Sequence, residues 1–371
     1  MKFETISVIG LGYIGLPTAA IFAASGINVI GVDVSPKVVS TINRGEIHIV
    51  ETGLATMVEE AVKLGKLRAA LKPEPADAFI IAVPTPFKAK YPPNPEPDLQ
   101  YIKAACEAIA PNLRPGNLIV LESTSPVGTT ELVSNWLSAL RSDLFFPNEE
   151  TAKDNNIYVA HCPERVLPGN IIEELVNNDR LIGGISKNCS KVAKKLYKTF
   201  VKGECTITNA KTAELSKLAE NASRDAQIAF ANELSVVCDE HGVNVWELIA
   251  LCNRHPRVNI LQPGAGVGGH CIAVDPWFII SKSRKSLGFM HSARLTNLYK
   301  EDWVVEKVND YLLSVRCKRT IIFGAAFKED IDDFRESPSL RIAKKLQAAL
   351  GENLLIVEPN CIDETIEGIN I

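Results

Sequence analysis

Val8-Ile9-Gly10-Leu11-Gly12-Tyr13-Ile14-Gly15 is the stretch that decides the fold of this 371-residue chain. An apolar run, Thr5 to Ile9, leads into it, and a helical pattern, Pro17 to Ser25, leads out. In that setting each glycine lacks a side chain for its own reason. Gly10 allows a tight turn, Gly12 lets a pyrophosphate approach the backbone, and Gly15 lets helix and strand pack closely. The phosphates would then face free amides at the helix start, around Tyr13 and Ile14. A bare GxGxxG is weak evidence. Here a second apolar run, Asn28 to Val32, ends in Asp33 at roughly the expected spacing of 20 residues. Asp33 can accept from both ribose hydroxyls and would repel a 2′-phosphate. No arginine follows it, so the expected cofactor is NAD rather than NADP.

Outward from this loop the same rhythm continues. Ala78 to Val83 and Asn117 to Leu121 read as further buried parallel strands, with helical patterns at Pro36–Asn43 and Leu99–Ile109. The implied class is α/β, a Rossmann-type doubly wound parallel sheet. Thr85 and Thr124 fall at carboxyl ends of strands, where ligands of open sheets bind, although turn hydroxyls explain them equally well. The proline-rich run from Tyr91 to Pro97 is expected to be a surface loop outside any ladder. From Asn209 to about Asn253 the spacing predicts a long helix and, after Gly242 and Asn244, a second one. Thr320–Phe323, Pro338–Leu350 and Asn353–Val357 then restore a strand–helix–strand rhythm. Two strands bury both faces of a sheet poorly, so this second Rossmann-like domain is expected to be incomplete at Ile371. The expected domains are residues 1–205, 206–302 and 303–371.

A net charge of −4 gives no electrostatic case for nucleic acid or an anionic membrane. The nine cysteines are scattered and include no CxxC pair, so neither a disulfide framework nor a zinc site is expected. All but one read as small buried hydrophobes. His161, His241 and His270 form no metal-spacing set. Ile6 to Ala24 has the apolar character of a leader, but Glu4 and three glycines spoil it, and the expectation is a cytoplasmic chain.

The exceptional cysteine lies in Pro263-Gly-Ala-Gly-Val-Gly-Gly-His-Cys-Ile-Ala-Val-Asp-Pro276. Cys271 ends a glycine-rich turn, and Asp275 follows four residues on. Glycines would let a substrate reach the backbone, so the thiol is a candidate nucleophile, with an aldehyde as its natural electrophile. Lys217 and Asn221 share one helix face at i and i+4, and Arg224 follows a turn later. If they line a pocket, Lys217 can move protons and Asn221 can donate to the same oxygen. Otherwise they belong to a solvated helix face. Glu164 and Arg165, in Cys162–Gly169, read as a surface ion pair or a site pair between prolines. His255 and Arg257 make a basic pair on a constrained loop. Lys328 and Arg335, between a strand and a helix, are candidates for a second nucleotide's phosphates.

Taken together, these motifs resemble those of the UDP-glucose/GDP-mannose dehydrogenase family, from Met1 to Ile371. The resemblance is carried by Gly10–Gly15, Cys162–Pro168, Ala213–Asn221, Asn253–Ile260, Gly264–Pro276 and Gly324–Lys328. It implies an NAD domain, a central helical dimerisation region and a C-terminal domain that binds a UDP-sugar. Cys271 would be the nucleophile and Lys217 the proton donor or acceptor, supported by Asn221 and Asp275. Thr124 and Glu164 would serve catalytic water and proton transfer. Arg165, Val166, Lys217, Asn221, Arg224, His255, Arg257 and Gly268 would contact substrate, and Lys328 and Arg335 its nucleotide. The implied reaction oxidises C6 of a UDP-N-acetylhexosamine twice, through a thioester, consuming two NAD. Within the family the motifs point to the manno sugar, with the gluco epimer as the alternative and a bacterial surface polysaccharide such as enterobacterial common antigen downstream. A catalytically dead NAD-binding remnant and a two-electron alcohol dehydrogenase are the competing classes.

Overall fold

A computed structural model of the chain describes residues 2–88, 95–147, 156–166, 169–269, 271–283, 288–315, 319–328, 334–359, 361, 365–366 and 368–370. The chain divides into two compact units, Met1–Lys217 and Leu218–Ile371.

The first unit is one eight-stranded sheet. Its strands are β1 (Thr5–Ile9), β2 (Asn28–Val32), β3 (Leu67–Ala70), β4 (Ala78–Ile81), β5 (Leu118–Leu121), β6 (Tyr158–His161), β7 (Arg180–Gly184) and β8 (Cys205–Asn209). They lie in the order β3-β2-β1-β4-β5-β6-β7-β8. Order reverses between β1 and β4, which makes the carboxyl ends of those strands the binding crevice of such a sheet. The crossovers are α1 (Gly15–Ala24), α2 (Pro36–Asn43), α3 (Leu54–Lys63), α4 (Gln100–Ile109), α5 (Thr129–Leu140), α6 (Ile171–Asn177) and α7 (Lys187–Tyr197). Along β4, Ala78 and Ile80 enter one hydrophobic cluster while Phe79 and Ile81 enter another; in β5, Leu118 and Val120 alternate with Ile119 and Leu121 in the same way. Both faces are dry, which is why these strands read as unbroken apolar runs.

One pairing departs from the expected parallel sheet. β7 runs antiparallel to β6, with Ala160 opposite Gly184 and His161 opposite Gly183. The short α6 returns the chain to the same end of the sheet rather than crossing it, so β7 starts where β6 stops. The proline-rich run also corrects its expectation. Pro95 and Pro97 are buried, and Pro97 bridges Phe87 in an antiparallel pair; Tyr91 to Asn94 lie outside the described residues. The Lys88 N–H donates to the Glu96 carbonyl and the Asp98 N–H to that of Pro86, so no proline is asked for a donor.

α8 (Ala210–Glu240) begins in the first unit and runs on into the second, where α9 (Val245–Cys252), α10 (Asp275–Lys282), α11 (Phe289–Val315) and α12 (Pro338–Leu350) follow. Residues 302 and 303, the expected domain boundary, both fall inside α11. Within the second unit α8 is clamped to α11 by buried polar groups: Arg294 pairs with Asp225 at 2.5 Å, and Asn297 donates to Asp225 Oδ1 at 2.8 Å. β9 (Thr320–Phe323) and β10 (Leu354–Val357) form a parallel pair, and β11 (Thr365–Ile366) and β12 (Ile369–Asn370) an antiparallel one. Ile356 and Leu354 pack inward, whereas Ile321, Phe323, Leu355 and Val357 remain exposed on the other face of β9 and β10. Among the described residues, no helix is long and apolar enough to cross a membrane.

Candidate active site

The dinucleotide loop is built as its glycines require. Gly10 has φ +91°, and a Cβ there would lie 2.6 Å from the Ala82 carbonyl oxygen. At Gly15 a Cβ would lie 1.8 Å from the Gly10 oxygen. Gly12 differs: its Cβ would meet nothing within 4 Å among the described residues. The open space lies beside the start of α1, where Ile14 offers no side-chain cap and the first turn carries no acidic residue. Open space beside a helix N-terminus is what a pyrophosphate needs. Asp33, just past β2, accepts from the Leu11 N–H at 3.0 Å and the Ser35 N–H at 2.9 Å. Each oxygen keeps a further lone pair for a ribose hydroxyl, so the loop fits NAD. The Thr85 hydroxyl donates to the Thr124 carbonyl at 2.7 Å, tying together the segments after β4 and β5.

Glu164 is neither surface-exposed nor paired with its neighbour's guanidinium, as a solvated turn would have it. It is buried, its Oε1 accepts from the Arg165 backbone N–H at 2.6 Å, and its Oε2 pairs with Arg180 at 2.9 Å. The Arg165 guanidinium donates to the Asp179 carbonyl at 2.7 Å. Val166 packs, half-buried, on the main core, and Leu167 and Pro168 lie outside the described residues. Glu51 holds the far end of this segment, accepting from the N–H groups of Gly169 and Ile171 at 2.9 Å each. Lys217, which helix statistics place in solvent, is only 9% exposed. It adds to the burial that pushes the His161 imidazole down to about 3.

In the second unit, Asn221, one turn beyond Lys217 on α8, donates to Asp275 Oδ2 at 2.5 Å. Asp275 is buried in the first turn of α10, and its N–H donates to the Cys271 carbonyl at 2.9 Å. The thiol-bearing residue is therefore fixed to α10 through its backbone, and α10 to α8 through Asp275. Cys271 itself is partly exposed. So are Cys252 and Cys361, contrary to the expectation that all other cysteines are buried, while Cys317 lies outside the described residues.

Two of the glycines upstream of Cys271 also serve packing. A Cβ on Gly268 would lie 2.6 Å from Phe327 Cβ and 2.7 Å from Pro338 Cδ, and one on Gly269 2.9 Å from the Phe327 ring. Their missing side chains let the loop close on its own chain. Anything Gly268 gives a ligand must come from its backbone. Gly264 donates its N–H to buried Asn232 at 2.8 Å. His270 lies outside the described residues. Arg224, His255, Arg257, Lys328 and Arg335 are all exposed. His255 Nδ1 accepts from the Arg257 N–H at 3.3 Å, and Asn253 clips the loop by two hydrogen bonds to Ile260.

Residues that sequence reasoning missed are Glu122, Arg180, Tyr197 and Glu51. A charged residue abutting an apolar run, as in Leu118–Glu122 and Arg180–Ile182, was the available signal, and it reads first as a strand end.

A dinucleotide loop of this geometry, followed by an acid placed for a ribose, defines an NAD-dependent oxidoreductase. Domain profiles of the UDP-glucose/GDP-mannose dehydrogenase family match in sequence: the NAD binding domain over residues 4–201, the central domain over 211–299 and the UDP binding domain over 321–370. The UDP-N-acetyl-D-mannosamine dehydrogenase of Campylobacter jejuni is 56% identical over 359 residues, covering 97% of this chain and 87% of that protein. The NDP-N-acetyl-D-galactosaminuronic acid dehydrogenase of Ralstonia nicotianae is 55% identical over 376 residues, covering 100% and 87%. Among solved structures, the Pyrococcus horikoshii UDP-D-ManNAc dehydrogenase superposes with a TM-score of 0.88 at 38% identity, covering 98% of this chain and 87% of that one. Cap5O of Staphylococcus aureus, a UDP-N-acetyl-mannosamine dehydrogenase, gives 0.87 at 41% identity, covering 97% and 84%. The chain belongs to the UDP-glucose/GDP-mannose dehydrogenase family, and its cofactor is NAD.

Proposed function

We propose that this chain oxidises C6 of UDP-N-acetyl-D-mannosamine to the uronate, a four-electron reaction in which Cys271 carries the half-oxidised sugar. The observation that carries the reading is the Asn221–Asp275–Cys271 linkage, which fixes a partly exposed thiol by backbone and carboxylate rather than burying it. NAD, when bound, accepts a hydride in each of the two oxidations. Lys217 takes the proton of the C6 hydroxyl and steadies the developing alkoxide, with Asn221 donating to the same oxygen. The Cys271 thiolate adds to the aldehyde carbon, which prevents its loss and leaves a carbon that can be oxidised again. Water then attacks the thioester: its oxygen bonds to the acyl carbon, its proton passes to Glu164 with Thr124 alongside, and the C–S electrons return to Cys271. Arg165, Val166, Arg224, His255, Arg257 and the Gly268 backbone bind the sugar and its diphosphate. Lys328 and Arg335 bind the nucleotide.

The division into residues 1–205, 206–302 and 303–371 is supported by the three matched profiles. A homodimer through the central helix is supported by exposed Phe230 and Val237 on α8. A cytoplasmic setting is the proposed one, on the scatter of nine cysteines that include no CxxC pair. A bacterial surface polysaccharide such as enterobacterial common antigen is the proposed destination of the uronate. The Ralstonia relative favours a second reading, in which the substrate is a nucleotide-linked N-acetylgalactosamine derivative.

The test is a substrate panel of UDP-N-acetylmannosamine, UDP-N-acetylglucosamine and UDP-N-acetylgalactosamine, counting NADH per sugar. About two NADH per mannosamine nucleotide, and no uronate from Cys271→Ser, are expected. Turnover confined to another sugar would remove the substrate assignment, and normal uronate output from Cys271→Ser would remove the thioester.

A further inference from the structure

Glu122, Arg180 and Tyr197 have no part in the chemistry above, yet they form the most deeply buried ionic cluster of the first unit. Arg180 Nη2 lies 2.5 Å from Glu122 Oε1 and 2.9 Å from Glu164 Oε2. The Tyr197 hydroxyl donates to Glu122 at 2.8 Å, and its ring lies under the guanidinium at 4.3 Å. Thr18 reaches the second Glu122 oxygen at 3.3 Å. Arg180, Glu122 and Glu164 are 5%, 2% and 8% exposed, so water screens none of these charges. Buried ion pairs rarely stabilise a fold more than apolar packing would, which prompts the question of what this one positions.

The answer lies in the strand reversal. In an all-parallel sheet the first residue of β7 would sit at the amino edge, away from ligands. Because β7 runs back along β6, extending the pairing of His161 with Gly183 by three residues on each strand sets Glu164 opposite Arg180. The reversal thus delivers the first residue of a strand to the carboxyl edge. It also leaves one guanidinium facing two carboxylates, so the cluster becomes neutral only if one of them carries a proton. Burial pushes Glu122 up to about 7, with Arg180 opposing and Glu164 reinforcing. Burial also holds the Tyr197 hydroxyl and the Cys162 thiol in their neutral forms, and raises the Cys205 thiol. These, with Arg180 and Glu164, are the titratable groups facing Glu122.

We propose that Arg180 is a positioning residue for Glu164, holding its carboxylate in place at the carboxyl edge of the sheet, with Glu122 as the second carboxylate that shares the guanidinium. This rests on the reading that Glu164 takes the proton of the hydrolytic water. Both Glu164 oxygens are anchored, one by the Arg165 N–H and one by Arg180, which fixes the rotamer and leaves lone pairs for that proton.

The experiment compares Arg180→Lys, Glu122→Gln and Glu164→Gln in the full chain with NAD and UDP-N-acetylmannosamine. It measures kcat and KM across pH and the mass of acyl-enzyme trapped by acid quench. Glu164→Gln should lose about 100-fold in kcat and accumulate acyl-enzyme. Arg180→Lys, which keeps the charge but not the planar fork, should lose about 10- to 100-fold with KM within about threefold, and should accumulate the same adduct. The acid limb of its kcat profile should move to higher pH. Glu122→Gln removes the competing anion, so its acid limb should move to lower pH. Opposite shifts are not what mere loosening of the core would produce, and the near-isosteric Glu122→Gln keeps the test decisive if Arg180→Lys folds poorly. Wild-type kcat and no adduct in Arg180→Lys, or an unmoved limb in Glu122→Gln, beside an impaired Glu164→Gln would overturn the proposal alone. Normal turnover by Glu164→Gln would instead sink the role of Glu164, and the proposal with it.

Discussion

Alanine placed at each glycine of the dinucleotide loop should give three different proteins. At Gly12 the new methyl meets nothing within 4 Å among the described residues, and the backbone is not left-handed. The folded state therefore loses no contact, while the unfolded chain loses freedom, so stability should be unchanged or rise by about 0.4–1 kcal/mol. The methyl does occupy the space that a pyrophosphate must enter, and NAD affinity should fall about 10- to 100-fold, or about 1.4–2.8 kcal/mol. At Gly15 the methyl lands 1.8 Å from the Gly10 oxygen, so backbone must move by more than an ångström. Overpacking of that kind costs about 1–3 kcal/mol or more, and a unit of this size should melt about 5–10 °C lower. Gly10→Ala combines left-handed strain, about 1–3 kcal/mol, with a 2.6 Å contact to the Ala82 oxygen. Thermal melts of the apo protein, paired with NAD titrations by fluorescence, separate the two effects. If Gly12→Ala melted as low as Gly15→Ala, or bound NAD as tightly as the parent, the reasoning from space around each Cβ would be refuted.

Acid stability should depend on His161. Burial, reinforced by the Lys217 charge, pulls its imidazole from 6.5 to about 3, so the unfolded chain binds a proton there that the folded one refuses, and stability falls as pH drops from 6.5 towards 3. His161→Met should flatten that slope, and an acid titration of unfolding that stays as steep would exclude His161 as its source. Glu214, buried, accepts from the Gly128 N–H at 2.6 Å, the Thr130 N–H at 2.7 Å and the Thr130 hydroxyl at 2.5 Å, capping α5 where Gly128 cannot. Glu214→Ala should cost about 2–3 kcal/mol in urea unfolding, and less than about 1 kcal/mol would mean that water replaces it. Gly268→Ala meets Phe327, Pro338 and the Glu336 oxygen, all under 3.0 Å, so it should lower kcat about 10-fold or more through the displaced Cys271 loop. NAD affinity should be intact in that variant, and normal kcat would show that the thiol does not depend on the loop's packing.

What could be read from the sequence depended on how cleanly apolar residues were spaced. β1 and β2 were legible to the residue, and β4 and β5 to within two, because both faces of their sheet are dry and the runs are unbroken. α11 was missed because its buried face is itself polar. Arg294, Asn297, Lys300 and Glu301 all lie inside, so no apolar period survives over its 27 residues. β6 has only four residues, and β7 opens on an arginine. Cys271, Asp275, Lys217 and Asn221 were visible as spacing, one residue at a time. The Asn221–Asp275 bond was not, because it joins residues 54 apart in sequence. Glu122 and Arg180 escaped because the reversal that unites them depends on where β7 starts, and local pattern carries no register.

The two glycine-rich stretches look alike in sequence and do opposite things. Around Gly12 the missing side chain keeps space open for a ligand, whereas at Gly268 and Gly269 it lets Phe327 and Pro338 press onto the backbone. Openness suits a cofactor that must arrive and leave. Rigidity suits the thiol role proposed for Cys271, since a displacement of about 1 Å at a reacting centre costs about 100-fold in rate. Phe327 and Pro338 both lie within the span matched by the UDP binding domain profile. A change in that segment would therefore reach the Cys271 loop through Gly268 without touching Cys271, so in the proposed mechanism packing alone would couple nucleotide recognition to chemistry.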